Sequence, residues 1–136
     1  MSASSLSFKL AVLFVVAGMA MGMGMAAAHD HSIMPAHAHL NLLGWVSLFL
    51  FGIYYKLTPS LERSRLAFVQ IVVWAVGTVV LTIAVAAIHL GHEAAEPMAA
   101  VASFIVLAAM LLFGYLVFRP APSLSSGPMI RMTPAE

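Results

Sequence analysis

His37 and His39 are two residues apart at the head of the apolar run Pro35-Ala36-His37-Ala38-His39-Leu40-Asn41-Leu42-Leu43-Gly44-Trp45. Neutral imidazole is the usual axial ligand of haem iron and a common ligand of copper and zinc. An imidazole entering an apolar environment must find a partner, so a ligand role is the first question to ask of both rings. On a helix, two residues apart means about 200° of rotation. His37 and His39 therefore leave on opposite sides. That suits two cofactors, or one cofactor and one hydrogen-bond partner, better than chelation of one metal ion. Below His37 lie Asn41, Gly44 and Gly52, a small and partly polar face. Below His39 lie Leu42, Leu43, Val46 and Leu50, an apolar wall that suits a flat porphyrin. His39 is the stronger haem candidate. His37 is expected to meet a second cofactor, a neighbouring chain or His89.

Four more histidines join the inventory. His89 and His92 share a face if their helix persists past Gly91. If Gly91 ends the helix, His89 remains an inward ligand and His92 becomes a loop residue. Glu93 and Glu96 stand near enough in sequence to orient an imidazole as hydrogen-bond acceptors. His29-Asp30-His31 follows Met19, Met21, Met23 and Met25, and methionine with histidine suits copper. That spacing scatters the methionines over two faces, so packing is the preferred reading of them. The candidate cofactor ligands are thus His37, His39 and His89. The candidate metal ligands are His37, His39, His89 and His92.

What must position these rings is a membrane bundle. Only 8% of the 136 residues are charged and the mean hydropathy is +1.02, whereas soluble domains carry about 25% charged residues. Four apolar stretches, about 8–28, 36–57, 66–90 and 98–118, are each near the roughly 20 residues that cross a bilayer. An all-α integral membrane four-helix bundle is expected over residues 1–119, with a disordered Pro/Ser-rich tail over 120–136. Lys9, Lys56, Arg63, Arg65 and Arg119 fall on one side of this topology. Basic residues mark the cytoplasmic side, which places both termini there and all six histidines at the periplasmic face of a bacterial-type inner membrane. The first stretch, with Lys9 and Ala26-Ala27-Ala28, also carries the pattern of a cleaved signal. Gly18 and Gly22 favour a retained, packed helix instead. The absence of cysteine excludes disulfides, thiolate sites and iron–sulfur clusters. The formal charge of +1 suggests no nucleic-acid partner; the lipid bilayer is the expected surrounding. No buried chain of Asp, Glu or Lys crosses the spans, which argues against an ion-coupled pump in one chain.

His37-x-His39, then Leu43-Gly44-Trp45-Val46 and Gly52-Ile53-Tyr54-Tyr55-x-Leu57-x-Pro59, resembles the haem-ligating helix of subunit I of the haem-copper oxidases. The likeness is greatest to the cbb3-type oxidases and their nitric oxide reductase relatives. The resemblance covers this one helix, and only His37 and His39 carry over. It implies b-type haem, with the first histidine on a high-spin haem and the second on a low-spin haem, from opposite sides of the helix. It implies electron transfer or a place in an oxidase-like respiratory complex. The family subunit is much larger, so a complete oxygen-reducing centre is not expected in one chain. A homo-oligomer such as a trimer, or a larger complex, would supply the missing ligands. Two other readings stay open. One is a copper or other metal-ion protein without haem. The other is a non-catalytic small subunit or assembly partner of a respiratory complex.

Overall fold

The computed structural model describes residues 1–119; the expected tail, 120–136, lies outside them. The four apolar stretches form four helices: α1, Ala3–Ala28; α2, Met34–Leu57; α3, Arg65–His89; and α4, Glu96–Phe118. There is no strand among the described residues. Each helix falls within a segment long and apolar enough to span a bilayer.

The helix ends follow from local chemistry. α1 starts earlier than its apolar run because Ser2 caps it, its hydroxyl accepting from the Ser5 N–H at 3.3 Å. Pro35 sits in the first turn of α2, where its missing N–H costs nothing. One helical turn, Pro59–Glu62, connects α2 to α3. α3 ends at His89, and Gly91 follows in the left-handed region at φ +89°. His92 therefore lies in the connecting loop, not on the face of α3 that carries His89. A 3-10 turn, Glu93–Ala95, leads into α4.

Consecutive helices run antiparallel, with α2 and α3 in the middle. α1 packs on α2 and touches α3, while α4 packs mainly on α3. The core where α2 and α3 meet is aromatic: Phe51 stands edge-on to Trp74 at 5.0 Å and stacks tilted on Phe113 of α4 at 4.5 Å. Tyr55 is fully buried here and its hydroxyl donates to Gln70 Oε1 at 3.0 Å. On α4, Ala102, Ala109 and Leu116 are buried, and Gly77 of α3 lets the Val106 and Ile105 side chains come close. Val12, Val16, Met19 and Met23 of α1 and Val101, Phe104 and Leu111 of α4 are exposed. Helices apolar all round are what a bilayer accommodates.

The α1–α2 seam is a run of small residues set against large ones. A Cβ on Gly52 would lie 2.7 Å from the Phe8 ring, one on Gly18 2.5 Å from the Asn41 amide, and one on Gly22 3.1 Å from the His37 ring. Gly44 is filled in the same way by Phe14. Gly18 and Gly22, expected to serve helix packing, do so against α2. Where that seam passes the middle of α2, the helix is not regular. Met34–His39 and Leu48–Leu57 are α-helical, but Leu40–Ser47 between them is a π-helix. This wide-turn segment begins at the residue after His39.

Candidate functional site

Six histidines lie at one end of the antiparallel bundle, on α1's C-terminal loop, the start of α2 and the end of α3. They do not converge. Among the described residues, no three His, Asp or Glu side chains come together as metal ligands would. His29, His31, His89 and His92 are exposed, while His37 and His39 are half-buried. The expected meeting of His37 with His89, or of His89 and His92 on one metal, is not what the fold builds.

His39 is the ring with the ligand geometry. Its Nδ1–H donates to the Pro35 carbonyl at 2.7 Å, one turn back on the same helix. That bond places the proton on Nδ1 and leaves the Nε2 lone pair free. Ligating histidines are held this way, with the second ring nitrogen donating to a carbonyl. The ring lines a cleft of about 310 Å³ shared with Ala38, Leu42, Leu43, Leu81, Ser103 and Val106. Leu42 and Leu43 are part of the apolar wall expected below His39; Leu81 comes from α3, and Ser103 and Val106 from α4. The Ser103 hydroxyl is committed to the Ala99 carbonyl at 2.9 Å, so the cleft's one other polar side chain is tied to backbone. Apolar lining with one convergent polar group is the usual make-up of a small-molecule site, and the volume is at the small end of such sites.

His37 leaves α2 on the other side and faces α1. Its ring lies against Gly22, and Asn41 sits across it. The Asn41 Nδ2 is 3.4 Å from one ring nitrogen and 3.3 Å from the other, and donates to the His37 carbonyl at 2.9 Å. Near-equal distances put the amide over the ring face, a weak N–H···π contact. His37 thus forms part of the helix seam. The opposite directions inferred from helix geometry hold, but His37's neighbour is α1 of its own chain.

His89 repeats the His39 device at the end of α3. Its Nδ1–H donates to the Val85 carbonyl at 2.8 Å, which frees Nε2, but the ring is exposed and lines no cleft with His39. The α1–α2 loop is organised by Asp30, which accepts from the Ser32 N–H at 2.9 Å and from the Ser32 hydroxyl. These two bonds hold the Asp30 carboxyl below its ordinary value of 3.8. An Asp already engaged in its own turn is a poor partner for His29 or His31.

Three side-chain hydrogen bonds fall on carbonyls in the π-helical segment beneath His39 and on the residue just after it. The Trp74 indole N–H of α3 donates to the Leu43 carbonyl at 2.9 Å. The Ser47 hydroxyl donates to the Leu42 carbonyl at 2.9 Å, and the Ser7 hydroxyl of α1 to the Leu48 carbonyl at 2.6 Å. In an apolar surrounding, backbone carbonyls disturbed by a wide turn must be satisfied within the protein. Trp74, Ser47 and Ser7 are the site residues that a search for ligands overlooks. Their signal in the sequence is only that a Trp N–H and hydroxyls in apolar helices need acceptors.

No family model matches the chain, and no curated protein or solved structure matches it at a significant level. The likeness of the H-x-H stretch to the haem-copper oxidases therefore stands on its own residues.

Proposed function

We propose that this chain is a haem-binding integral membrane protein of electron transfer, working in a homo-oligomer or as part of a larger respiratory complex, with His39 as an axial ligand. The observation that carries the proposal is His39 itself: Nδ1–H fixed on the Pro35 carbonyl, Nε2 free, and the ring on an apolar cleft between α2, α3 and α4. These residues fit a flat apolar cofactor with one nitrogen ligand. When bound, haem supplies one-electron redox chemistry. His39 would hold the group, while Leu42, Leu43, Leu81 and Val106 would exclude water from it. The cleft is small and open on one side, which supports a neighbouring chain covering the rest. The basic residues at the opposite end support a periplasmic position for this end of the bundle in an inner membrane.

A copper or other metal-ion site without haem is supported less well. It needs several donors around one ion, and among the described residues no such group forms.

Absorption spectroscopy of the detergent-purified protein tests the proposal. A Soret band that is lost in His39→Ala and kept in His37→Ala is the expected outcome. No Soret band in the unaltered protein, isolated from cells supplied with haem, overturns it.

A further inference from the structure

The contacts along the α1–α2 seam show why α2 contains a wide turn. The pairs Phe8–Gly52, Phe14–Gly44, Gly18–Asn41 and Gly22–His37 mark one path along two helices. From Phe8 to Gly22 is 14 residue steps on α1; from Gly52 back to His37 is 15 on α2. α2 therefore carries one residue more than α1 over the same path. A regular helix cannot absorb that residue, whereas a segment bonded i to i+5 can. All of this segment lies between Gly52 and His37. Were it regular, the turn bearing the two histidines would be rotated by about 100°, one residue's worth. A neighbour of His39 would then face the cleft in its place.

We infer that Trp74 is a positioning residue for His39: by holding the Leu43 carbonyl, its indole N–H keeps the wide turn in place and so aims the His39 imidazole into the cleft. Leu43 lies within the π-helical segment and also lines the cleft. Trp74 is 1% exposed and its ring is fixed edge-on against Phe51. The donor is thus delivered to one backbone oxygen by a side chain with no freedom to leave it. Ser47 and Ser7 serve the neighbouring carbonyls, but neither reaches the carbonyl of a cleft residue from outside α2, as Trp74 does. The consequence for cofactor binding rests on the reading of His39 as a ligand; the direction of His39 does not.

The chain has no cysteine, so two introduced thiols report on that direction without any cofactor. His39→Cys with Ser103→Cys puts both thiols on the cleft. Ser4→Cys with Glu62→Cys is the control at the opposite end, where the native side chains are 2.8 Å apart. Both pairs are treated in membranes with a short bis-maleimide. In the Trp74→Phe background, which keeps an aromatic ring and removes the donor, the ratio of linked to unlinked 39–103 pair should fall about fivefold, the worth of one neutral hydrogen bond. The control pair should not change. Deleting Leu42 removes the extra residue with Trp74 in place, and should also abolish the 39–103 link. An unchanged 39–103 ratio in the Trp74→Phe background overturns the inference, whatever the Leu42 deletion does. So does an equal fall in both pairs, which would mean general loosening. With His39 intact, Trp74→Phe should shift the Soret maximum. If the unaltered protein has no Soret band, the haem proposal fails while the cross-linking result stands.

Discussion

The two sides of α2 are built on opposite principles. The side facing α1 is closed: Gly18, Gly22, Gly44 and Gly52 each leave a space that a side chain of the other helix fills, and His37 is one of those fillers. The side facing α3 and α4 is open beside His39, with about 310 Å³ of space and a ring whose Nδ1 is held by the Pro35 carbonyl. Two histidines two residues apart therefore have different work. One completes a packed seam, and the other lines an open cleft. A polar side chain in an apolar helix can be accommodated by packing against a neighbour or by a bond to its own backbone, and this helix shows both within one turn.

The largest effect that tests this contrast is in the seam. Gly18→Val would drive methyl groups into the Asn41 amide, which Asn41 cannot vacate without losing its bond to the His37 carbonyl. Overpacking of this kind costs about 1–3 kcal/mol, read as a lowered unfolding midpoint in mild detergent titrated with SDS. Gly24→Ala is the control, since a Cβ there meets nothing within 4 Å. If both variants unfold alike, the seam is not closed as described.

The next effect belongs to the open side. Ser103→Phe places a ring in the cleft from the exposed surface of α4. Haem affinity should drop at least about tenfold, or 1.4 kcal/mol, in a haem titration of the purified protein. The unfolding midpoint should stay near that of the unaltered protein. A loss of stability as large as that of Gly18→Val would show that the cleft is not spare volume.

Much of this contrast was legible in the chain. Four long apolar stretches with short polar connections dictate four helices, because only internally bonded backbone crosses lipid. The 200° between His37 and His39 dictates opposite faces for any helix. Asn41 and Gly44 below His37 already marked a small face. What could not be read was the partner of that face. It required knowing that Gly22 and Gly18 lie opposite, which is tertiary information. The π-helical segment was hidden for the same reason. Leu40–Ser47 has nothing in its composition that forbids a regular helix; the extra residue is visible only when α2 is counted against α1. The candidate metal ligands His37, His39, His89 and His92 do not come together among the described residues, because a shared membrane level is not a shared point. Asp30 is spent on Ser32, and His92 is cut from the line of His89 where α3 ends before Gly91.

The smallest effect concerns how the closed side is fastened at the end away from the histidines. Glu62, in the turn after α2, accepts from the Ser4 hydroxyl of α1 at 2.8 Å and from Lys56 at 3.1 Å. The Ser4 bond first, and Lys56 second, hold its carboxyl below its ordinary value of 4.5. A carboxyl lowered on folding favours the folded state fully above its unfolded value, and that contribution is lost as pH falls through the lowered native value. Acidification from neutral to roughly pH 3 should therefore lower the unfolding midpoint slightly, since an exposed pair contributes little. In Glu62→Gln this part of the pH dependence should disappear. At neutral pH, where the thiols react, Glu62→Gln should leave the yield of the 39–103 cross-link unchanged, because nothing in the cleft at the other end of the bundle answers to Glu62. A cleft whose cross-link changed in Glu62→Gln would mean that the two sides of α2 move as one, and the division of labour between His37 and His39 would fall with it.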